Sequence, residues 1–561
     1  MAPASQSRSP SPRPATRREV NTKALREGIF DVLVVGGGIN GAVSAACCAG
    51  RGARVALVDR GDFACFTSQE SSNLAWGGIK YMETMELGLV RKLCMSRNHL
   101  LRSYPSTVQE IRFFVTHDKT FRHGLLKLIV GAWLYWFIGS FFTKAPRLLS
   151  QETIREEEPI VEIERSDGGF EYSDAYLHDN DARFVWGFVK GAIDHGCVAA
   201  NYVECMGAER RGEIWHVSMR DNVTGETFTL QAKTLVNACG PFVDPLNRKT
   251  KTKTSHRHVF SKGIHLIVER LSPHRRVLTF FADDGRPFFV TPMGPRTCIG
   301  TTDTRVDDPY APIDDDDRRF VLDNINKRLR LEKPLTLQDI VAERCGVRPL
   351  AVAGQGESTS DWTQLSRKHV VEVDADAKHV SIFGGKLTDC INVGEEVADA
   401  VGSLGIAFPS PETRWYGEPD DTVRDAFFRE AERIGLDTRT SARSSEPLST
   451  RLWRRYGASA QKLLEGIEHD PREAEVLIEG AEYLRCEVEL AAKQEMIVKL
   501  EDFLRRRSKI SLVMRREELT KAEGLREACR IFFGSDADAR WEEYFRMQDE
   551  KASGYGLQAT A

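Results

Sequence analysis

Two short runs near the N-terminus of this 561-residue chain, at 31–35 and at 54–58, are apolar after a first charged residue. Apolar runs of this length are typical of strands that are buried on both faces of a parallel sheet. The residues between them, 42–50, are small and predict a helix that packs closely on that sheet. The order of strand, glycine turn, helix and strand predicts an α/β fold with a Rossmann-like domain that begins at about residue 30.

The turn between the first strand and the helix has the spacing Gly36-x-Gly38-x-x-Gly41. In this arrangement Gly36 permits a tight turn, Gly38 lets the backbone approach a pyrophosphate, and Gly41 lets helix and strand pack closely. The helix N-terminus then faces the phosphates. Asp59 ends the second strand, at the distance where a carboxylate can bind a ribose hydroxyl. We therefore predict a dinucleotide site rather than a chance glycine turn.

Later segments alternate between β-rich and nucleotide-binding patterns. Residues 207–240 are typical of a β-meander whose last strand ends at Gly240, and a strand at 379–383 runs into a second glycine turn. The Rossmann-like domain is therefore predicted to be discontinuous. We expect inserted β-rich segments at about 111–180 and 251–340 to form a substrate domain.

After residue 422 the pattern is helical and strongly charged, and three prolines before it mark a linker. These patterns predict four regions: a disordered N-terminal tail at 1–29, a main domain at 30–405, a linker at 406–421 and a C-terminal α-helical domain at 422–545.

The first 18 residues contain four arginines, four prolines and no acidic residue. An arginine-rich, acid-poor start is typical of mitochondrial transit peptides, whereas the prolines and the scarcity of apolar residues favour a disordered tail. Both interpretations stay open, and no secretory signal is expected.

Composition excludes several classes of function. The net charge of −4 and the lack of an aromatic and basic stripe argue against nucleic-acid binding. The 12 cysteines include no CxxC pair, and neither an HExxH motif nor Cys/His ligand spacing occurs. We therefore expect a reducing compartment, no disulfide framework and no metal site.

Residues 128–142 are apolar, rich in aromatic side chains and flanked by basic residues. The run is shorter than the roughly 18–20 residues that a membrane-spanning helix needs. It predicts either a helix that lies in the membrane interface or a helix buried in the core, and the sequence does not favour one over the other.

Several blocks occur in the order and spacing of one family, and they cover about residues 20–530. They are VGGGINGA at 35–42, GDFA at 61–64, GGIKY at 77–81, NACGP at 237–241, KGIH at 262–265, GTTD at 300–303, GVRPL at 346–350, FGGKLT at 383–388 and EDFLRRR at 501–507. By these blocks the chain resembles the FAD-dependent glycerol-3-phosphate dehydrogenases. The resemblance implies that the main domain is an FAD-dependent oxidoreductase domain, which oxidises glycerol 3-phosphate to dihydroxyacetone phosphate.

The resemblance also implies roles for individual residues. The expected FAD-binding residues are Gly36, Gly38, Gly41, Asp59, Thr67, Ser68, Ser72, Gly240, Gly385 and Thr388. The expected substrate-binding residues are Lys80, Tyr81, Arg348, Lys386 and, more weakly supported, Arg367. The expected catalytic residues are His265 as general base, Arg348 and Lys386. Local turn capping is the alternative role for Thr67, Ser68 and Ser72, and core packing is the alternative for Tyr81.

The chain departs from the family pattern at four places. Trp76 and Lys80 stand where the family has His and Arg, Asp389 and Cys390 follow Thr388 where Thr and Tyr are usual, and Cys239 replaces a common Thr. Lys80 keeps a positive charge but lacks the bidentate geometry of arginine. Substrate preference is therefore less securely predicted than the nucleotide scaffold.

Members of this family mostly pass electrons to a membrane quinone, and some pass them to oxygen. We expect a quinone-linked enzyme that contacts the membrane through residues 128–142, at the cytoplasmic face of a bacterial inner membrane or, in a eukaryote, at the mitochondrial inner membrane. The alternatives are an oxidase for glycerol 3-phosphate or a related polyol phosphate, and a non-catalytic flavin-binding protein, which the changes at Trp76 and Lys80 would favour. A homodimer is left open.

Overall fold

The strands lie in two large sheets and one small pair in the computed structural model, which describes residues 15–354, 368–442 and 444–552. The strands are β1 (Ile29–Val35), β2 (Val55–Val58), β3 (Leu74–Ala75), β4 (Val108–Asp118), β5 (Arg147–Leu149), β6 (Ser166–Leu177), β7 (Val198–Ala200), β8 (Val203–Arg211), β9 (Ile214–Asp221), β10 (Thr227–Asn237), β11 (His256–Glu269), β12 (Arg276–Phe281), β13 (Pro287–Met293), β14 (Arg296–Gly300), β15 (Thr304–Val306), β16 (Ala342–Ala353), β17 (Val370–Asp374), β18 (His379–Phe383), β19 (Val476–Ile478) and β20 (Tyr483–Leu484).

The α-helices cover the faces of these sheets and build the C-terminal region. They are α1 (Arg17–Ala24), α2 (Ile39–Gly50), α3 (Leu87–Ser103), α4 (Leu125–Ile138), α5 (Gln151–Glu157), α6 (Asp181–Asp194), α7 (Val243–Thr250), α8 (Asp315–Arg328), α9 (Cys390–Ser403), α10 (Asp421–Arg433), α11 (Leu448–Tyr456), α12 (Ala460–His469), α13 (Arg485–Gln494), α14 (Ile510–Val513), α15 (Arg516–Lys521), α16 (Glu523–Phe533) and α17 (Ala537–Ala552).

The first sheet is the nucleotide-binding sheet, with the strand order β17-β18-β10-β1-β2-β7. Strands β18, β10, β1, β2 and β7 run parallel, and α2 packs between this sheet and helices α6 and α9. Every residue of β2 is buried, as a strand covered on both faces requires. The predicted Rossmann-like α/β fold is confirmed.

The second sheet has the order β15-β11-β14-β13-β12-β4-β6-β3, with β16 paired to β11 and β5 to β6. It therefore combines strands from two distant stretches of the chain, on either side of β7–β10. The long antiparallel pair β11–β16 places His265 opposite Arg344 and Ser261 opposite Arg348. This pair carries several of the predicted site residues to one place.

The C-terminal helices α10–α17 form two apolar clusters, one around Trp453 and one around Phe503. A π-helical turn, Asp502–Arg507, lies in the second cluster, and all six of its residues are buried. The turn contacts α6, so the C-terminal helices are anchored on the nucleotide-binding domain.

The predicted disordered tail at 1–29 is wrong for its last part, because residues 17–24 form helix α1. Thr16 and Glu19 cap the helix reciprocally, and the four prolines of the tail all precede it. The buried Arg18 forms a 2.7 Å ion pair with Asp221, which fixes the helix on the β8–β9 hairpin. Residues 1–14 lie outside the described residues.

Helix α4 overlaps the apolar segment 128–142, for which the sequence predicted either a helix buried in the core or a helix in the membrane interface. Ala132 and Tyr135 are buried, whereas Leu126 is 76% and Phe137 is 61% exposed. The helix therefore packs one face on the protein and leaves a second apolar face uncovered. Among the described residues no helix has the length and hydrophobicity needed to cross a bilayer.

Candidate active site

The first glycine turn joins β1 to α2 through a tight backbone crossing. Gly36 has a φ of +103°, which favours glycine. A Cβ atom at Gly41 would lie 1.7 Å from the Gly36 carbonyl oxygen, and one at Gly36 would lie 2.6 Å from the Ala238 carbonyl oxygen. Gly38 is the N-cap of α2 and contributes no side chain. Gly36 and Gly41 thus lie where only bare backbone fits, whereas a Cβ atom at Gly38 would meet only the Ser68 hydroxyl, at 3.1 Å.

Asp59 closes this turn from the end of β2. Its two carboxylate oxygens accept the amides of Gly37 at 2.6 Å and Gly61 at 2.9 Å. Burial raises the pKa of Asp59, and the two amide contacts oppose that rise. The carboxylate therefore fixes the shape of the turn, and its predicted contact with a ribose stays a prediction.

The loop at residues 67–72 lies against the start of α2. The Ser68 hydroxyl accepts the amide of Ile39 at 3.0 Å, and the Thr67 hydroxyl donates to the Val347 carbonyl at 2.8 Å. Ser72 is half-buried in the same loop. The contacts of Thr67 and Ser68 reach across the fold and are not local turn caps.

The turns after β10 and β18 lie beside the first turn, because β18, β10 and β1 are neighbours in the sheet. Gly240 and Gly385 have φ values of +54° and +117°. A Cβ atom at Gly385 would lie 3.0 Å from Oδ1 of Asn40, and Nδ2 of Asn40 donates to the Gly384 carbonyl at 2.9 Å. Asn40 lies inside the glycine fingerprint but was not among the predicted site residues.

Two buried side chains, one near these turns and one on β11, have polar atoms with no hydrogen-bond partner among the described residues. They are Oδ1 of Asn40 and both ring nitrogens of His265. Buried polar groups are normally hydrogen-bonded, so such atoms mark a place where a bound molecule can supply the bonds. Together with the bare-backbone turns at three adjacent strand ends, they fit a bound dinucleotide such as FAD.

His265 and Arg348 form the first group of predicted catalytic residues. The His265 side chain is 4% exposed, and burial together with the positive charges of Arg344 and Arg348 holds the pKa of His265 well below its ordinary value. The Arg348 guanidinium lies against Gly263 and donates to the Thr301 hydroxyl at 3.2 Å. A neutral, buried imidazole beside two arginines suits a general base that acts on an anionic substrate.

Arg344 was not singled out from the sequence, although it lies opposite His265 in the β11–β16 pair. It is 1% exposed, forms a 2.7 Å ion pair with Asp181 and donates to the Gln69 carbonyl at 2.8 Å. Residues four apart in a strand lie on the same face. The spacing of Arg344 and Arg348 could therefore have indicated that Arg344 lies on the same face as the predicted site residue Arg348.

Lys80, Tyr81 and Lys386 form the second group, although 305 positions separate Tyr81 from Lys386. The Lys386 ammonium donates to the Tyr81 hydroxyl at 2.7 Å and lies 3.9 Å from the centre of its ring. The Lys80 ammonium lies 5.6 Å from the same ring centre. Two cations therefore lie near one tyrosine ring beside a strand-end glycine turn, which suits a dianion such as phosphate. Arg367 lies outside the described residues.

Trp76, the first departure from the family pattern, is a packing residue. Its indole donates to the Tyr172 hydroxyl at 3.2 Å and meets Phe289 edge to face. Its carbonyl accepts the hydroxyl of Thr388 at 3.2 Å. Trp76 therefore connects the predicted cofactor residue Thr388 to the apolar cluster that also contains Tyr81. Cys239 donates to the Val35 carbonyl at 3.3 Å and so fills the place of the usual threonine.

Asp389, another departure, lies in a buried polar network directly after Thr388. It accepts the Ser96 hydroxyl at 2.7 Å and lies 3.3 Å from Nδ1 of His369, whose side chain is 4% exposed. Burial lowers the pKa of His369, but hydrogen bonds to Asp389 and Glu396 raise it above its ordinary value overall. Burial raises the pKa of Asp389, and bonds to His369, Ser96 and Asn392 lower it to about 2.

This network predicts a pH-dependent stability. Because the pKa of His369 is raised in the folded protein, its contribution is full below the ordinary pKa of about 6.5 and is lost as the pH rises through the raised value. We expect His369→Gln to cost about 1–3 kcal/mol of unfolding free energy at pH 6 and clearly less at pH 9. Urea unfolding of both proteins at the two pH values measures the difference, and an equal cost at both would contradict the assignment.

A buried ion cluster joins the π-helical turn to the loop that carries Thr67 and Ser68. Asp62 lies 2.7 Å from Nε of Arg506 and 2.8 Å from Nη1 of Arg507. Arg506 also donates to the side chain of Gln69 at 3.3 Å, and Arg505 donates to the Gln69 carbonyl. The C-terminal helices therefore support the loop that lies against the start of α2.

The chain is similar to known FAD-dependent oxidoreductases along most of its length. Residues 31–369 match the family model of the FAD dependent oxidoreductases, and residues 422–537 match the model of the C-terminal domain of alpha-glycerophosphate oxidase. The glycerol-3-phosphate dehydrogenase of Pseudomonas aeruginosa is 31% identical over 501 residues, which cover 87% of this chain and 93% of that protein.

Two further proteins extend the comparison. The D-erythritol 1-phosphate dehydrogenase of Brucella abortus is 30% identical over 507 residues, which cover 88% of this chain and 96% of that protein. The solved structure of the glycerol-3-phosphate dehydrogenase from Bacillus halodurans, complexed with FAD, superposes with a TM-score of 0.73 at 24% identity and covers 96% of this chain and 98% of that one.

Proposed function

The chain belongs to the family of FAD-dependent glycerol-3-phosphate dehydrogenases, and on this premise we propose that it oxidises sn-glycerol 3-phosphate to dihydroxyacetone phosphate and passes the electrons to a membrane quinone. The observation that carries the proposed substrate is the meeting of Lys80 and Lys386 at Tyr81. Two ammonium groups at one tyrosine bind a phosphate ester far better than an uncharged polyol.

Each group of residues has a distinct role in this proposal. Bound FAD supplies the two-electron acceptor. Lys80, Tyr81 and Lys386 bind the phosphate and so orient the carbinol carbon. His265 accepts the proton of the substrate hydroxyl at a ring nitrogen that has no other partner among the described residues. Arg348 supports the developing negative charge on that oxygen.

A related polyol phosphate is the second candidate substrate. The Brucella relative, named for D-erythritol 1-phosphate, is almost as similar to this chain as the Pseudomonas relative. Lys80 also replaces the usual arginine at a position that we assign to the phosphate. Steady-state kinetics with both esters separate the candidates, and the proposal expects a higher kcat/KM for glycerol 3-phosphate.

Oxygen is the alternative electron acceptor, since the C-terminal domain matches a family model named for an oxidase. Rates with glycerol 3-phosphate are to be measured with a short-chain ubiquinone under nitrogen and, separately, with oxygen alone. The proposal expects the quinone rate to exceed the rate of peroxide formation by at least an order of magnitude. The reverse order would make the protein an oxidase.

A quinone acceptor requires contact with the membrane, and we assign this contact to helix α4. The uncovered face of the helix presents Leu126, Val130, Trp133, Leu134 and Phe137, which are 41–76% exposed. An apolar face of this kind, rich in aromatic side chains, suits the membrane interface. The proposal places the protein at the cytoplasmic face of a bacterial inner membrane or at the mitochondrial inner membrane, and the homodimer stays a prediction.

Substitution of Phe137 by glutamate tests this contact. Burial of a phenylalanine side chain contributes about 1.5–3 kcal/mol, so we expect Phe137→Glu to lower vesicle binding at least tenfold. Leu337→Glu, at a 52% exposed site between α8 and β16, is the matched control and is expected to bind as the wild type does. Co-sedimentation with phospholipid vesicles measures binding, and unchanged binding of a folded Phe137→Glu protein would remove α4 from the proposal.

A further inference from the structure

A buried carboxylate lies beside the turn that leads to Lys80 and Tyr81. It belongs to Asp174 on β6, which is fully buried, and no step of the proposed reaction uses it. Its neighbours on the same face of the strand, Tyr172 and Tyr176, belong to the apolar cluster that contains Tyr81. A charge inside an apolar cluster is costly unless hydrogen bonds compensate it. The bonds that Asp174 makes therefore indicate what the carboxylate does.

Four donors converge on this carboxylate. Its Oδ1 accepts the amides of Gly77 at 3.0 Å and Ala175 at 3.1 Å, and its Oδ2 accepts the Tyr135 hydroxyl at 2.6 Å. The Arg97 guanidinium lies 3.5 Å from Oδ1. Burial raises the pKa of Asp174, and the contacts with Arg97, Tyr135 and Gly77 oppose that rise. The surroundings thus consist of donors only, which is what an ionised carboxylate needs.

Tyr135, on the buried face of α4, fixes both the carboxylate and the turn. Because its hydroxyl holds Oδ2 of Asp174, the other oxygen faces the Gly77 amide. The same hydroxyl lies against Gly77, where a Cβ atom would be only 2.1 Å from it. On the other side of this residue, the Cys94 thiol donates to the Gly77 carbonyl at 3.9 Å. Both polar groups of the Gly77 backbone are therefore bound by buried side chains.

The turn leads directly from this bound backbone to the residues assigned to the phosphate. Gly78 has a φ of +80° and is the N-cap of a short 3₁₀ helix, Ile79–Met82. Lys80 and Tyr81 are the second and third residues of that helix. A shift of the Gly77 backbone would therefore displace both side chains.

We propose that Asp174 is a positioning residue for the substrate phosphate, because its bond to the Gly77 amide directs Lys80 and Tyr81 toward the phosphate that Lys386 also binds. The inference rests on the proposed function, since it assumes that these three side chains bind the phosphate. Displacement of a binding group by about 1 Å can cost about 10²-fold in rate. The buried charge thus serves the geometry of the site.

Two double variants of the full-length, FAD-loaded protein differ only in the acceptor at position 174. They are Asp174→Leu/Arg97→Met and Asp174→Asn/Arg97→Met. Each loses the carboxylate and its neighbouring guanidinium together, so neither keeps an uncompensated buried charge of this pair. Leucine and asparagine have nearly the same shape, but only asparagine keeps an oxygen for the Gly77 amide. Flavin absorbance and circular dichroism show whether each variant is folded.

We expect KM for glycerol 3-phosphate to rise about tenfold or more in the variant with leucine and less than about threefold in the variant with asparagine. In both, kcat should change little, because His265 lies on a different strand, β11. The dissociation constant of inorganic phosphate, measured by calorimetry, should rise in parallel with KM. Equal KM values in the two variants would overturn the inference, as would a loss confined to kcat.

Two single variants complete the test. Tyr135→Phe keeps the ring and both charges and removes only the hydroxyl, so we expect KM to rise about threefold, as for one lost hydrogen bond. An unchanged KM in Tyr135→Phe would overturn the inference even if the variant with leucine does not fold. Glu158→Ala removes another buried carboxylate, 3.2 Å from Arg276, and should lower stability but leave KM unchanged. A KM raised equally in Glu158→Ala would also contradict a specific role for Asp174.

Lys80→Gln separates this inference from the proposed function on which it rests. If Lys80→Gln leaves KM unchanged, the phosphate site itself is wrong, and the role of Asp174 fails with it. If Lys80→Gln raises KM while the two double variants have equal KM values, the phosphate site stands and only the role of Asp174 is wrong.

Discussion

Replacement of His265 by asparagine is expected to lower kcat with glycerol 3-phosphate by about 10²–10⁴-fold, the usual contribution of a positioned general base. The imidazole is 4% exposed, and neither ring nitrogen has a partner among the described residues. Asparagine keeps the polarity and much of the volume but cannot accept the proton. Stopped-flow flavin reduction and steady-state turnover measure the loss.

The pH profile distinguishes a base from a merely structural histidine. Because burial and two arginines lower the pKa of His265, the wild-type rate should fall only well below pH 6.5. This acid limb should vanish in His265→Asn. The control is His216→Asn, at a partly exposed position on β9, which should keep both rate and profile. A His265→Asn protein that holds FAD and turns over at the wild-type rate would rule out the assigned role.

Removal of the Asp62 carboxylate is expected to destabilise the protein by about 3–5 kcal/mol, as the loss of one partner from a buried ion cluster does. Asp62 is 1% exposed, and although burial raises its pKa, Arg507 and Arg506 lower it overall. In Asp62→Ala, Arg506 keeps its 2.6 Å contact with Asp502, but Arg507 keeps, among the described residues, only the Glu495 carbonyl as hydrogen-bond acceptor. A buried guanidinium would then lack a counter-ion.

Urea unfolding followed by tryptophan fluorescence measures this loss, and flavin release on dilution shows whether the loop at residues 67–72 loosens as well. Glu209→Ala, which removes an exposed ion pair with Arg211, should leave the unfolding midpoint unchanged. A midpoint of Asp62→Ala equal to that of the wild type would show that the cluster does not couple the C-terminal helices to the FAD-binding domain.

The sequence was sufficient for the features that depend on neighbouring residues. The apolar run of β1, the glycine spacing and Asp59 lie within 30 positions, so their local pattern already predicts the Rossmann-like unit. The prediction of a disordered tail to residue 29 relied on the prolines before residue 15. Helix α1 begins directly after them, at the capping pair Thr16 and Glu19.

Features that depend on distant contacts could not be predicted from local pattern. The charged run at 505–507 has the composition of a solvated helix, yet all three arginines are buried against groups more than 400 positions away. Asp389 has no local sign of its partners Ser96 and His369. Helix α4 matches neither a fully buried core helix nor a helix that lies wholly in the membrane interface, because one of its faces is buried and the other is uncovered. Periodicity alone does not reveal which neighbours cover a face.

Anaerobic reduction of the bound flavin shows whether glycerol 3-phosphate is the substrate. The purified, FAD-loaded protein is mixed with glycerol 3-phosphate or with glycerol under nitrogen, and the visible absorbance of the oxidised flavin is followed. We expect bleaching by the phosphate ester and none by glycerol, because Lys80 and Lys386 select the phosphate. A flavin that stays yellow with glycerol 3-phosphate would contradict the proposed substrate.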